Sequence, residues 1–267
     1  MKSVSIVTGA SSGMGMEFAR ALVSRPGLGE LWLIARRIER LQSLAAELKT
    51  INPGLAIRPV AADLGGREGG RVIAGLLEAA GGRGEIFIDT LVNNAGFGTY
   101  GNFDATAIDR QLDEIDLNVT SLTAITGICL PYLERGSRII NTASLAAFAP
   151  MGGFAVYAAS KAYVLNFTLG LAAELEAKGI KVIALCPGPV DTEFSRVASE
   201  GVRNKVLHGK PPAAVVRHCL TLLERGKKIA IMAPKWRLKS FLPRLFGRFF
   251  IAKVTMHTEK RPSKGAF

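Results

Sequence analysis

The chain has 267 residues, of which 48% are hydrophobic and 21% are charged, which is ample for a buried core beneath an ordinary polar surface. Its apolar runs fall short of the roughly 18 residues that a membrane-spanning helix needs, which argues against such a helix. The net charge is +12, but eight of these charges lie in residues 235–267, and without a recognised nucleic-acid-binding module this distribution argues against a nucleic-acid partner.

Short β-branched runs alternate with longer helix-like stretches along the chain. The predicted strands are 3–8, 30–35, 55–60, 86–92, 137–142, 179–185 and 229–233, and the predicted helices are 13–24, 38–50, 68–80, 105–133, 155–177 and 211–225. Buried parallel strands have near-continuous apolar sequences, as these do. The pattern predicts an α/β, Rossmann-type doubly wound fold, with a seven-stranded parallel sheet flanked by helices in a single domain over 1–234. A basic amphipathic extension follows over 235–267.

The first strand leads directly into a glycine-rich turn, Thr8-Gly9-Ala10-Ser11-Ser12-Gly13-Met14-Gly15. Glycines here would let backbone N–H groups and the positive end of the next helix approach a pyrophosphate. An ordinary βα turn would also accept them. The position in the first βα unit favours a dinucleotide site.

The end of the second strand bears on which dinucleotide binds. An acid at this point usually bonds the ribose 2′-hydroxyl of NAD. This chain instead has Arg36 and Arg37, whose guanidinium groups suit a 2′-phosphate, and Ser11 and Ser12 are further phosphate-bonding candidates. The alternative is that both arginines only begin a solvated helix. We expect NADP(H) as the cofactor.

Four polar residues farther along the chain suit carbonyl chemistry: Asn118, Ser144, Tyr157 and Lys161. A phenol has a pKa of about 10, so a nearby cation is needed to stabilise its phenolate. Tyr157 and Lys161 are four residues apart, which places them on one face of a helix. Ser144 could polarise a carbonyl, and Asn118 could hold a water. A Tyr-x-x-x-Lys pair alone would equally describe a helix surface.

Together, these motifs resemble the short-chain dehydrogenase/reductase family over about residues 3–233. The turn matches the family's glycine motif, and Asn94, Ala95 and Gly96 belong to its fourth-strand motif. The resemblance implies that Tyr157 is the general acid/base and that Lys161 lowers its pKa and bonds the nicotinamide ribose. Ser144 would orient the substrate oxygen, and Asn118 would complete a proton relay through water.

The resemblance also implies further cofactor contacts. Asp63 and Leu64 look like the family's adenine-contacting pair. The loop that closes on the nicotinamide would contain Pro187, Gly188, Val190 and Thr192. The segment of about 192–210 would cover the substrate.

We therefore expect an NADP(H)-dependent enzyme that interconverts a ketone and a secondary alcohol. The residues flanking the tetrad in sequence are apolar: Phe97, Leu145, Phe148, Met151 and Phe154. They favour a steroid, a bile-acid-like sterol or a fatty-acyl ketone, as for a hydroxysteroid dehydrogenase in lipid metabolism, unless they only pack the core. The rival hypotheses are a non-catalytic NADP-binding redox sensor and a membrane-recruited scaffold.

The segment 235–254 interleaves basic residues with five aromatic ones, which predicts a basic amphipathic helix restarted at Pro243. Its apolar face would contact a membrane surface, the same domain or a partner subunit. The family resemblance implies a homodimer or homotetramer formed through the helices around 105–133 and 155–177.

The first strand begins near residue 3, which leaves no room for a secretory signal, so we expect a cytoplasmic protein, with peripheral membrane contact through the tail as a further option. The three cysteines, Cys129, Cys186 and Cys219, are far apart and lack metal-ligand spacing. We expect them to be reduced structural thiols, and we expect no metal site.

Overall fold

A computed structural model describes residues 1–204, 206, 208–258, 261 and 262. Its sheet has seven parallel strands in the order β3-β2-β1-β4-β5-β6-β7, which confirms the predicted architecture. The strands are β1 (Lys2–Thr8), β2 (Glu30–Ala35), β3 (Ala56–Ala61), β4 (Ile86–Asn93), β5 (Leu133–Thr142), β6 (Lys181–Leu185) and β7 (Ile229–Ala230).

Helices cover both faces of the sheet and continue beyond it. They are α1 (Gly13–Leu22), α2 (Ile38–Ile51), α3 (Glu68–Ala79), α4 (Ile108–Ile115), α5 (Leu122–Cys129), α6 (Ala155–Leu175), α7 (Phe194–Ala198), α8 (Pro212–Glu224), α9 (Pro234–Phe241) and α10 (Arg248–Thr258). Of the predicted tail, Glu259, Lys260 and 263–267 lie outside the described residues, as do Lys205 and Leu207 of the segment expected to cover the substrate.

Alternation along the buried strands divides the core between the two faces. On β2, Leu31 and Leu33 pack into one cluster with Phe18 of α1. Trp32 and Ile34 point to the other face, where they join residues of α3 and α6. Side chains on a strand alternate between faces, so one apolar strand serves both layers.

The predicted helix over 105–133 is wrong in detail. The chain forms α4, then a wider π-helical segment over Asp116–Ser121, then α5, and a last turn over Leu130–Tyr132. Pro131 has no N–H to continue the helix, and β5 accordingly begins at Leu133 rather than at 137. The π-helical segment contains Asn118.

Strand order reverses between β1 and β4, which are hydrogen-bonded neighbours although two strands lie between them in sequence. Ligands of doubly wound sheets bind at the carboxyl ends of strands at such a switch point. The glycine turn follows β1, and Asn94 follows β4. The fold therefore brings the two motifs to one crevice.

The three cysteines are free and buried, as predicted. Burial raises the pKa of Cys186 to about 12 and also raises those of Cys129 and Cys219, so none is an activated thiol. No cluster of potential metal ligands occurs in the part of the chain that the structure describes. Within that part, every helix is too short or too polar to cross a bilayer.

Candidate active site

The glycine turn forms a narrow cradle at the start of α1. Gly9 and Gly13 have φ angles of +66° and +54°, which favour glycine. A Cβ at Gly9 would lie 2.9 Å from Asn94 Nδ2, and one at Gly13 would lie 3.0 Å from Thr192 Cγ2. Ser12, the residue before α1, forms no side-chain cap, so the first N–H groups of the helix are able to donate hydrogen bonds to an anion. The cradle fits a pyrophosphate.

Thr8 and Asn94 fasten this cradle to the sheet. The Thr8 hydroxyl accepts hydrogen bonds from the main-chain nitrogens of Asn94 (2.9 Å) and Ala95 (3.1 Å). Asn94 Nδ2 in turn donates to the main-chain oxygen of Thr8 at 3.2 Å. These bonds fix the ends of β1 and β4 against each other.

Arg37 reaches the cradle, whereas Arg36 is exposed. Arg37 Nη2 donates to the Ser11 hydroxyl at 3.1 Å, and its Nη1 donates to the Glu193 carboxylate at 2.9 Å. Arg40, one turn farther along α2, donates to the other Glu193 oxygen at 2.8 Å. Two guanidinium groups thus meet one carboxylate beside the cradle.

The four residues of the predicted tetrad are all buried. Tyr157 and Lys161 lie in the first two turns of α6, and Ser144 follows β5. Lys161 Nζ donates to the main-chain oxygen of Thr142 at 2.8 Å. It also lies 5.7 Å from the centre of the Tyr157 ring.

The side-chain amide of Asn118 is committed to its neighbours. It donates to the main-chain oxygen of Phe97 at 2.8 Å and to the Ser160 hydroxyl at 3.1 Å, and it accepts from Phe97 N at 3.1 Å. A Cβ at Gly96 would meet both Asn118 Oδ1, at 2.6 Å, and Lys161 Nζ, at 3.3 Å. Asn118 and Lys161 therefore meet at Gly96.

Burial dominates the proton affinities of the site. It raises the pKa of Tyr157 above its ordinary value, while the Ser144 hydroxyl works in the opposite direction. This rise reflects the cost of burying a phenolate, and the effect of Lys161 on the Tyr157 pKa stays a prediction. Burial also lowers the pKa of Lys161 to about 8, against an opposing effect of Glu114.

An aromatic wall surrounds Tyr157. The Phe154 ring stacks on the Tyr157 ring with centroids 4.2 Å apart, and the Tyr100 and Phe194 rings flank this pair. A Cβ at Gly98 would lie 2.8 Å from atoms of both stacked rings. The general acid/base candidate is therefore held between apolar surfaces.

The remaining apolar residues expected near the tetrad divide between two places. Met151 packs with the wall, whereas Leu145 and Phe148 join a cluster around Trp236 of α9. Phe97 lies under the Arg110 guanidinium, 5.3 Å from it. Both proposals for these residues, pocket lining and core packing, thus describe part of the set.

The C-terminal helices approach the site, which the sequence did not predict in detail. A Cβ at Gly188 would lie 2.9 Å from Trp236, and one at Gly152 would lie 2.8 Å from Met256. Arg261 donates to the main-chain oxygen of Gly152 and lies over the Phe154 ring. Trp236, Met256 and Arg261 thus pack on residues of the preceding domain, and α10 begins at Arg248 rather than at Pro243.

The residues predicted from the resemblance alone follow the carboxyl ends of β3 and β6. Asp63 is exposed and accepts a hydrogen bond from Gly65 N, and Leu64 is buried. The main-chain oxygen of Pro187 accepts from Leu145 N at 3.0 Å, and Val190 bridges to Lys210. The side chain of Thr192 reaches Gly13.

Comparison with known proteins agrees with this arrangement. Residues 3–203 match the family described as short chain dehydrogenase. This protein belongs to the short-chain dehydrogenase family. The serine 3-dehydrogenase of Rhizobium radiobacter is 38% identical to this short-chain dehydrogenase over 208 residues, which are 75% of this chain and 77% of that protein.

Two further relatives differ in their named chemistry. The very-long-chain 3-oxoacyl-CoA reductase of Anas platyrhynchos is 35% identical over 72% of this chain and 61% of its own length. Among solved structures, a short-chain dehydrogenase from Sphingobium yanoikuyae in complex with NADPH has a TM-score of 0.75 and 28% identity, covering 92% of this chain and 94% of that one.

Sequence reasoning missed several residues of this short-chain dehydrogenase site. Glu193, Arg40 and Glu114 contact or influence site residues, but no local motif marks them. Gly98 gave a weak signal, because it follows the fourth-strand motif by two residues. Trp236 lies beyond the matched segment, which ends at 203.

Proposed function

We propose that the protein is an NADP(H)-dependent oxidoreductase that interconverts a ketone and a secondary alcohol, with Tyr157 exchanging the proton. The observation that carries this proposal is the meeting of Tyr157, Ser144 and Lys161 beside the glycine cradle at the switch point of the sheet. A non-catalytic redox sensor would not need a buried phenol beside a buried amine.

The cofactor would be held by residues from several loops. The cradle of Gly9, Gly13 and Gly15, with Met14 and Ser12, suits the pyrophosphate, and Arg36, Arg37 and Ser11 suit a 2′-phosphate. Asp63 and Leu64 would flank the adenine, and Asn94, Ala95, Gly96, Tyr157, Lys161, Pro187, Gly188, Val190 and Thr192 would line the nicotinamide half. The NADPH complex of the Sphingobium relative supports this choice.

When bound, the nicotinamide supplies or accepts the hydride. Tyr157 would donate its phenolic proton to the carbonyl oxygen during reduction, and Ser144 would donate a hydrogen bond to the same oxygen. Burial raises the pKa of Tyr157, so the phenol would hold its proton until the carbonyl oxygen accepts it. Asn118, whose amide already bonds Phe97 and Ser160, would support the relay by fixing the loop after β4 at Gly96 and Phe97.

We further propose an apolar substrate such as a steroid, a bile-acid-like sterol or a fatty-acyl ketone. The wall of Tyr100, Phe154 and Phe194 supports this class, because aromatic side chains bind extended apolar surfaces well. Arg261 adds a positive charge near Phe154, which would suit an acidic group at the far end of such a substrate. The relatives' names include a polar substrate, serine, and a fatty-acyl substrate, 3-oxoacyl-CoA.

The deciding experiment measures NADPH oxidation with a panel of steroids, acyl ketones, small aldehydes and serine. Tyr157→Phe should lower turnover by about 10²–10⁴ while NADPH affinity, measured by fluorescence titration, stays nearly unchanged. Tyr163→Phe is the control, since Tyr163 lies on the same helix but is exposed and contacts Thr123. Tight NADPH binding without turnover of any substrate would instead indicate a sensor.

A second proposal concerns the extension over 235–267, beyond the catalytic domain of 1–234. Leu245, Phe246, Phe249 and Phe250 are all exposed, with Phe249 73% accessible, and Lys253 lies over the Phe249 ring. Basic groups beside exposed aromatic rings suit an anionic bilayer, where each cation contributes about 1 kcal/mol. A cytoplasmic location with peripheral membrane contact follows from this proposal.

Truncation of the extension would also remove Trp236 and Met256, which pack on the domain, so the membrane contact is better tested by substitution. The double variant Phe249→Ser/Phe250→Ser should lose sedimentation with anionic liposomes at low salt and keep its activity on a small ketone. Phe103→Ser, which removes an exposed ring elsewhere, is the control. If the parent protein does not sediment with such liposomes, membrane contact is refuted, and the exposed aromatic face would instead bind a protein partner.

We also propose a homodimer or homotetramer through α4 and α6. Ile108, Leu112 and Tyr163 are exposed on these helices. Analytical ultracentrifugation of Leu112→Asp should show a smaller species than the parent protein. An unchanged mass would assign the contact to another face.

A further inference from the structure

Glu114 is a buried acid, and burying a carboxyl group costs free energy unless the group is hydrogen-bonded. It lies in α4 and its side chain is 0% exposed. Neither carboxyl oxygen has a partner at ordinary hydrogen-bond geometry among the residues that the structure describes, and the Thr99 hydroxyl and N–H interact with the carboxyl more loosely. Buried carboxyl groups are normally bonded, and a group without partners calls for an explanation.

Two more polar atoms nearby share this condition. The Thr99 hydroxyl and Arg110 Nε are buried and have no partner within the described part of the chain. Both residues interact electrostatically with the Glu114 carboxyl, as does Lys161. Donors and acceptors that converge in this way would be satisfied by one or two bound waters.

Glu114 also lies close in the fold to the residues that the resemblance assigns to the proton relay, Asn118 and Lys161. It precedes Asn118 by four residues, about one helical turn, and the wider π-helical segment begins between them. Asn118 and Lys161 meet at Gly96, and α4 packs on α6. The groups that interact electrostatically with Glu114 are Lys161 and Tyr157 from α6, Arg110 from α4 and Thr99 from the loop after β4.

We propose that Glu114 is a relay residue that exchanges protons with Tyr157 through Lys161 and water bound at Thr99. This inference rests on the proposed function, and it adds an internal proton acceptor to it. Glu114 does not touch the substrate, so it acts only through Lys161.

The proton balance is simple. In alcohol oxidation the substrate O–H proton joins the Tyr157 phenolate, and the hydride of the adjacent C–H bond would pass to the nicotinamide. The Lys161 ammonium, which stabilised the phenolate, then releases a proton through water to a Glu114 oxygen, which becomes a carboxylic acid. The phenol gives its proton to the Lys161 amine left behind, which restores the phenolate and the ammonium. Ketone reduction runs the same transfers in reverse.

The proton affinities suit such an exchange. Burial raises the pKa of Glu114 to about 7, although Thr99, Lys161 and Arg110 oppose the rise. Burial lowers the pKa of Lys161 to about 8, and Glu114 opposes that change. Burial thus moves the two pKa values toward each other, which lowers the cost of passing a proton between the two groups.

The test compares Glu114→Gln with Asp113→Asn, which removes an exposed acid from the adjacent position. Without cofactor, infrared spectra of the parent protein should contain a protonated-carboxyl band that disappears as pH rises through about 7. Asp113→Asn should keep this band and Glu114→Gln should lack it. A band that persists in Glu114→Gln would overturn the assignment.

The kinetic readout is the pH profile of alcohol oxidation. Glu114→Gln should lose the limb near pH 7 and fall at least about tenfold in kcat, less than the 10²–10⁴ of a direct acid/base, with cofactor affinity unchanged. Thr99→Val should act in the same direction and serves if Glu114→Gln does not fold. Profiles within twofold of the parent would overturn the relay. If the parent oxidises no alcohol while its infrared band titrates as expected, the proposed function fails instead.

Discussion

Glu193 Oε2 lies 2.9 Å from Arg37 Nη1, and its other oxygen lies 2.8 Å from Arg40 Nη1. These two arginines lower the pKa of the Glu193 carboxyl, although its burial works the other way. A carboxylate therefore occupies the guanidinium groups beside the proposed 2′-phosphate site. Glu193 and a 2′-phosphate would compete for the same cations.

We predict that Glu193→Gln binds NADPH about tenfold more tightly, since removing a competing charge there contributes on the order of 1.4 kcal/mol. NADH has no 2′-phosphate, so its affinity should change little. Isothermal titration with both cofactors measures the difference. Glu200→Gln, an exposed acid later in the same segment, is the control, and weaker NADPH binding by Glu193→Gln would contradict competition.

Arg36 should contribute to cofactor choice independently of Arg37. It is exposed and follows β2, whereas Arg37 is shared with Ser11 and Glu193. We predict that Arg36→Ala weakens NADPH binding about ten- to hundredfold, because charge-assisted bonds contribute roughly 1.5–3 kcal/mol. NADH binding should be spared, and Arg36→Lys should keep part of the affinity. Equal losses for both cofactors would show that Arg36 only begins a solvated helix.

The buried Glu114 should make stability depend on pH. Its folded-state pKa is about 7 against an ordinary value of 4.5, so the folded protein binds more protons than the unfolded chain between these values. The free energy of unfolding should therefore fall as pH rises from about 4.5 to 7. We predict that Glu114→Gln is about 1–3 kcal/mol more stable than the parent at pH 8 and equal to it at pH 4.5.

Urea unfolding at the two pH values measures this effect. Asp113→Asn should follow the parent protein at both. Equal stability of Glu114→Gln and the parent at pH 8 would mean that the carboxyl is already satisfied when charged.

Trp236 and Gly188 should be energetically coupled. A Cβ at Gly188 would lie 2.9 Å from two atoms of the Trp236 ring and 3.2 Å from Leu145. We predict that Gly188→Ala lowers kcat/KM about tenfold, because the loop must shift, and that the loss shrinks to a few-fold in Trp236→Ala, consistent with couplings of 0.5–3 kcal/mol between contacting residues. Gly127→Ala, where a Cβ meets nothing, is the control. Additive losses would separate the tail from the loop.

The parts of this protein that the sequence predicted are those with local signals. Apolar runs marked every strand of the sheet, and the spacing of Tyr157 and Lys161 predicted one helix face for both, although their catalytic role came from the family resemblance. Strand β7 was predicted too long, because only Ile229–Ala230 pairs with β6 at the sheet edge. The π-helical segment was missed, since its extra residue leaves no change in the apolar pattern.

The unpredicted features depend on contacts between distant residues. Arg37 and Glu193 are 156 positions apart, and nothing near Glu193 marks it as a partner of the second strand. Trp236 lies against Gly188 and Met256 lies against Gly152, and the sequence around either glycine does not indicate these partners. The raised pKa of Tyr157 likewise follows from the assembled aromatic wall.

The contacts of Trp236, Met256 and Arg261 have a consequence for how substrate preference diverges among relatives. All three lie past residue 203, where the family match ends, yet they pack around Gly188, Gly152 and Phe154. Mutation in that terminal stretch would reshape the surroundings of Gly188, Gly152 and Phe154 and leave the tetrad itself unchanged. Chimeras that exchange only the chain after Ala233 should therefore transfer substrate preference between relatives, and names of relatives that match about 75% of this chain do not predict that preference.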